Sequence, residues 1–132
     1  MTLATACVLI ACLLPIACAG LAKSGGMGKP RRDGGFDNHN PRAWVSGLEG
    51  WHARANAAQQ NSFEALPIFI AGVVLAQQAG APQLWVNMLA GAFIVLRIGY
   101  IAAYVSDKAS IRSLFWAAAM ACAIGLFLTT LL

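Results

Sequence analysis

The sequence predicts an all-α integral membrane protein, a four-helix bundle occupying residues 1–132 as one domain, and three observations carry that prediction. The first is composition: 59% of the 132 residues are hydrophobic and 11% charged, against about 45–50% and about 25% in soluble domains. The second is that residues 1–22, 65–96 and 113–132 hold no Asp, Glu, Lys, Arg or His. The third is length. A crossing needs roughly 20 apolar residues, so the chain accommodates four crossings and one modest loop, with no separate soluble domain.

The elements follow in order. A first helix is predicted over residues 2–22. Its Ala17-Cys18-Ala19-Gly20 offers small residues for signal cleavage, but there is no basic stretch before the apolar run and that run is too long, so the helix reads as retained. Residues 23–50 hold seven of the thirteen Gly, two Pro and five of the nine basic residues, the composition of a polar loop. The second helix spans 51–79. The break at Gly80-Ala81-Pro82 ends it and starts a third helix over 83–106. The fourth covers 111–132. Lys and Arg concentrate in the first and third loops, which the positive-inside rule assigns to the cytoplasm, leaving both termini on the opposite side.

Polar groups inside membrane helices are expensive and mark either an internal network or a functional site. The second helix opens on Trp51-His52-Ala53-Arg54 and continues Gln59-Gln60-Asn61-Ser62-Phe63-Glu64, followed by an apolar half. Asn61 and Glu64, three apart, share a face, and Gln60 and Glu64 are four-apart neighbours. In the third helix Arg97, Tyr100 and Tyr104 form one stripe. Glu64 lies roughly 20 Å past the start of its helix and Arg97 roughly 15 Å before the third loop. Both loops are on one side, so the two charges are predicted to pair or to share a network. A register-fixing ion pair is one reading of them. The other is a polar cleft open to lipid, with Asn61, Gln60, Arg54, Tyr100, Tyr104 and Arg112 converging at the same level. Such a cleft suits a charged small molecule whose reaction partner arrives from the membrane.

These residues resemble the MAPEG family, membrane-associated proteins in eicosanoid and glutathione metabolism. The resemblance covers most of the chain and rests on Asn61-x-x-Glu64-x-x-Pro67, on Arg97-x-x-Tyr100-x-x-x-Tyr104, on the long polar first loop and on the short basic loop ending at Arg112. The stretches Phe36–Arg42 and Arg54–Asn61 look most like bacterial members. The resemblance implies a homotrimer in a bacterial inner membrane, with glutathione as co-substrate in clefts between subunits that open to the cytoplasm. It implies contacts to the tripeptide from Asn61, Glu64, Arg97, Tyr100 and Tyr104. The family's characterised eukaryotic synthases have Arg and Tyr where this sequence has Ala57 and Ala65, and Arg54, one turn earlier, is the substitute for the first. Arg112 is the candidate for activating the thiol, since a guanidinium near sulfur favours the thiolate. The implied activity is transfer to lipophilic electrophiles or reduction of lipid peroxides. The rival from another class is a non-enzymatic member with a degenerate site. A proton-coupled exporter using Glu64 is disfavoured, because such exporters carry their carboxylate in the first helix and this one has none.

The remaining features read as structural. Cys7, Cys12, Cys18 and Cys122 lack CxxC spacing, and His39 and His52 lack a second ligand at useful spacing, so no metal site is predicted. Lys29, Arg31 and Arg32 read as a topology signal and a contact for anionic lipid, not for nucleic acid. Trp44, Trp51, Trp85 and Trp116 read as interfacial anchors. Gly91 and Gly99, with Ala90, Ala92 and Ala103, read as close helix packing, and Pro67 as a kink.

Overall fold

The computed structural model describes residues 1–132 and contains five α-helices and no strand. They are α1 (Leu3–Lys23), α2 (Pro41–Ser46), α3 (Gly50–Gln78), α4 (Gln83–Val105) and α5 (Ala109–Leu128). Single turns of 3-10 helix occupy Arg31–Asp33 and Thr129–Leu131. The four long helices fall within a few residues of the predicted spans. Gly80 takes a left-handed φ of 70° and Pro82 stands at the N-cap of α4, which is why the chain turns where its composition breaks.

Three helical segments, Leu3–Lys23, Gln83–Val105 and Ala109–Leu131, are long and apolar enough to cross a membrane. The helix α3 is the longest, at 29 residues, but its polar first half keeps it outside that group. The exterior of the spanning segments is apolar: Leu13, Ile16, Leu84, Met88, Val95, Leu114 and Leu128 are all at least half exposed. In water such a surface would drive association; in a bilayer it meets acyl chains.

Side-chain hydrogen bonds fix the order of the helix ends. At one end Gln77 Nε2 donates to Thr2 Oγ1 at 3.0 Å, and the Ala4 backbone N–H donates to Asn87 Oδ1 at 3.1 Å. The start of α1, the end of α3 and the start of α4 therefore sit together. At the other end Arg54 Nε donates to the Val105 carbonyl at 3.1 Å, joining the start of α3 to the end of α4. The loops after α1 and after α4 thus share one end, as the charge pattern predicts.

The core runs between these ends. Phe69 of α3 stacks on Phe93 of α4 with ring centroids 3.9 Å apart. Small residues let the backbones close around them: Ala4 and Ala11 of α1, Ala65 and Ala76 of α3, and Ala119 and Ala123 of α5 are all buried. A Cβ on Gly72 would stand 3.2 Å from the Ala123 carbonyl oxygen, so α3 and α5 approach closely there. A Cβ on Gly99 would meet the Phe115 ring at 2.7 Å, but one on Gly91 would meet nothing within 4 Å, and Ala92 is exposed. The close-packing expectation therefore holds at Gly99, Ala90 and Ala103 and is corrected at Gly91 and Ala92, which face outward.

The segment predicted as a plain loop contains α2. Pro41 at its first position has a φ already suited to a helix. The Trp44 ring packs edge-on to Phe36 at 5.2 Å, and its Nε1 donates to the Gly34 carbonyl at 3.3 Å. The Phe36 N–H donates to the Gly26 carbonyl at 3.0 Å. A Cβ on Gly35 would stand 1.9 Å from the Lys29 carbonyl oxygen, so only glycine fits this closure. His52 stacks on Trp51 at 3.7 Å and lies against Gly25, which gives it a packing role at the base of the loop.

Candidate functional site

Arg97 is the largest fully buried side chain, only 2% exposed. It reaches this position because α4 presents it toward α3, one turn from Phe93. A buried guanidinium is tolerated only when its donors are met. Its Nη1 donates to Asn61 Oδ1 at 2.9 Å and its Nη2 to Ser62 Oγ at 3.2 Å. The guanidinium carbon lies 4.2 Å from the centre of the Tyr100 ring, close enough for a cation–π contribution. Asn61 then passes the polarity on, its Nδ2 donating to Glu64 Oε2 at 3.2 Å.

The two charges therefore share a network and do not touch. The ion pairs of the molecule are Arg31 with Asp37 and Arg32 with Asp33, in the loop after α1. Glu64 is exposed, so its carboxylate faces outward while Arg97 stands behind Asn61. Ser62 was not anticipated as part of the site. The signal was available: Ala55, Ala58, Ser62, Ala65 and Phe69 form the buried stripe of α3, and Ser62 is its polar member.

The stripe predicted on α4 is observed. Tyr100 and Tyr104 pack edge-to-face with centroids 5.7 Å apart. Arg112, in the first turn of α5, lays its guanidinium carbon 4.5 Å from the centre of the Tyr104 ring. From Glu64 to Arg112 the polar groups form a chain on one side of α3, reaching the α4–α5 corner. Arg54 approaches the same corner, with its Nε on the Val105 carbonyl. Gln60 does not join them. With Lys23, Arg42, Ser46, Asn56 and Gln59, it lines a hollow of about 600 Å³ between α2 and α3. An apolar groove of about 330 Å³ runs between α1 and α4, bordered by Leu14, Leu21, Ile98 and Ile101 and ending at Ser106.

Chemically, this side of the molecule offers one outward carboxylate, phenol and amide groups, and a guanidinium held against an aromatic ring. A carboxylate is the natural partner of an ammonium group, and an Arg fork that of an anion.

A family model described as MAPEG family matches residues 3–132. The chain belongs to the MAPEG family. Its membership makes it a membrane protein of the glutathione and eicosanoid metabolism family, and the match extends over essentially the whole chain. No curated protein and no solved structure matches it. Asn61, Glu64, Arg97, Tyr100 and Tyr104, the residues on which the resemblance rests, are in one chain of contacts, with Arg112 at its end.

Proposed function

We propose that this MAPEG protein is a membrane-bound, glutathione-dependent transferase or peroxidase acting on lipophilic electrophiles or lipid peroxides. The observation that carries the reading is the continuous polar chain from Glu64 through Asn61, Arg97, Tyr100 and Tyr104 to Arg112 at one end of otherwise apolar helices. Glu64 receives the ammonium group of glutathione. Asn61 and Tyr104 line the peptide, with Arg97 orienting Asn61 from behind and the buried Tyr100 ring supporting Arg97. Arg112 stabilises the thiolate, which is the reacting species.

In conjugation, the thiol releases its proton to water, the sulfur forms a bond to the electrophilic carbon, and the leaving group departs with the bonding pair. In peroxide reduction, the sulfur attacks the distal oxygen, the O–O bond breaks, and the alcohol leaves with a proton. The glutathione sulfenic acid then condenses with a second glutathione to give the disulfide and water. The apolar groove ending at Ser106 supports approach of the second substrate from the bilayer.

The assembly belongs to the same proposal. The chain acts as one four-helix transmembrane domain with α3 as the fourth crossing. The first and third loops are cytoplasmic, both termini lie on the other side of a bacterial inner membrane, and three copies form a ring. The Glu64 network and the hollow containing Lys23 and Arg42 are neighbouring, distinct patches on α3. A head-to-tail contact brings one against the other, and such contacts close into rings. The test is conjugation of glutathione to an apolar electrophile by purified trimer in detergent. Turnover that falls at least tenfold in Arg112→Ala supports the reading; equal turnover refutes it.

A second reading, a non-enzymatic MAPEG protein that keeps the polar chain as architecture, draws on Arg97. Its guanidinium is only 2% exposed and is engaged with Asn61 and Ser62. Under this reading, glutathione leaves the protein's thermal stability unchanged.

A further inference from the structure

The corner between α4 and α5 is closed by two backbone hydrogen bonds. The Lys108 N–H donates back to the Ala103 carbonyl at 2.9 Å and the Asp107 N–H to the Tyr104 carbonyl at 3.1 Å, the double closure of a Schellman motif. That closure puts Asp107 in the left-handed region, at φ 59°, a conformation that Asp tolerates better than most residues. One carbonyl of the last turn, that of Val105, takes no part in it. This is the carbonyl to which Arg54 donates, from 51 residues away in sequence, with its Nε at 3.1 Å. The guanidinium also sits at the negative end of the α4 dipole. Four residues past Lys108 comes Arg112, whose backbone N–H donates to the Lys108 carbonyl at 2.9 Å. The position of the Arg112–Tyr104 pair relative to Asn61 and Glu64 therefore depends on where this corner stands relative to α3.

We infer that Arg54 is a positioning residue: by holding the Val105 carbonyl it ties the α4–α5 corner to the first turns of α3 and so fixes the Arg112–Tyr104 pair relative to the Asn61–Glu64 pair. The inference rests on the proposed reading for its consequence in the reaction, because Arg112 is the group proposed to stabilise the thiolate. It assigns to the Nε of Arg54 a task distinct from holding a ligand carboxylate. A ligand contact would use the outer fork of the guanidinium, whereas the corner uses the inner nitrogen.

That difference supplies the test. In Arg54→Gln the side-chain amide nitrogen stands the same number of bonds from Cα as Nε, so the donor to Val105 is kept and the charged fork is lost. In Arg54→Met a chain of similar length keeps the packing and loses the donor. Amide hydrogen exchange at Asp107 and Lys108, measured on the full chain in detergent without any thiol, is expected to quicken at least tenfold in Arg54→Met and to stay within about threefold of the parent in Arg54→Gln. Unchanged exchange in Arg54→Met overturns the inference, as does equal quickening in both variants. Glutathione titrated onto the same proteins gives the second readout. The bound thiol is expected to be at least tenfold less acidic in Arg54→Met, with its acidity restored in Arg54→Gln and glutathione affinity within about threefold in both. Affinity lost in both variants with exchange unaltered makes Arg54 a ligand contact and overturns the inference. Absence of thiolate in the parent protein refutes the proposed function, while the exchange comparison still decides whether Arg54 holds the corner.

Discussion

Arg97 Nη1 donates to Asn61 Oδ1 at 2.9 Å, and that bond decides which way the Asn61 amide faces. With its oxygen committed to the buried guanidinium, Asn61 has its NH2 left for Glu64, which accepts it at 3.2 Å. The arginine of α4 thus orients an outward carboxylate on α3 without touching it.

The first prediction follows from this order. Asn61→Leu leaves a donor of a buried charge unmet and is expected to destabilise the protein by about 1.5–3 kcal/mol. Glu64→Gln leaves both bonds of Arg97 in place, and its expected cost is below about 1 kcal/mol. Thermal unfolding of the two variants in detergent checks the difference. Equal losses would mean that Arg97 depends on Glu64 directly.

A second prediction concerns the ring beneath Arg112. The contact is between the guanidinium and the aromatic face of Tyr104, at 4.5 Å, so the ring matters to it more than the hydroxyl. Tyr104→Phe keeps the stack and Tyr104→Leu removes it. The bound thiol is expected to lose about 0.5–2 kcal/mol of thiolate stabilisation in Tyr104→Leu and less in Tyr104→Phe. Titration of the thiolate absorbance measures both.

The pH dependence has a defined sign. A free cysteine-type thiol has a pKa near 8.5, and Arg112 favours the charged form, so the bound thiol titrates lower. Thiolate is then present in both the parent and Arg112→Ala above about pH 8.5, and only the parent keeps it as the pH falls. A lowering of about two units, about 2.7 kcal/mol, gives roughly twentyfold more thiolate at pH 7. Rates against pH are expected to diverge from about pH 8.5 downward and to converge above it.

Two glycines give a contrast in stability. A Cβ on Gly35 would stand 1.9 Å from the Lys29 carbonyl oxygen, and one on Gly91 would have nothing within 4 Å. Gly35→Ala is expected to open the loop after α1 and cost at least about 1–3 kcal/mol. Gly91→Ala, in a helix interior, is expected to be neutral or to stabilise by up to about 1 kcal/mol. Differential scanning calorimetry of the two variants distinguishes them.

The long helices were legible because charge-free blocks and the Gly80–Pro82 break follow from bilayer thickness and backbone geometry. The Arg97–Tyr100–Tyr104 stripe was legible because helical spacing alone places those residues on one face. Ser62 and α2 were not read from the sequence. Ser62 lay within a polar run whose buried face appears only when its spacing to Ala58 and Ala65 is followed. The helix α2 sits in a glycine-rich stretch, and contacts distant in sequence accompany it: Trp44 against Phe36 and its bond to Gly34. The hollow that Gln60 lines was not legible for a related reason. Two of its other lining residues, Lys23 and Arg42, come from segments whose placement no local periodicity encodes.

The central claim is that Arg112 activates a bound thiol. Its most direct test is ultraviolet difference absorbance of the detergent-solubilised protein titrated with glutathione at neutral pH, with Arg112→Ala beside it. The account predicts a saturable thiolate band in the parent protein that is lost in the variant while glutathione still binds. A band of equal size in both proteins, or bound glutathione with no band in the parent, would contradict it.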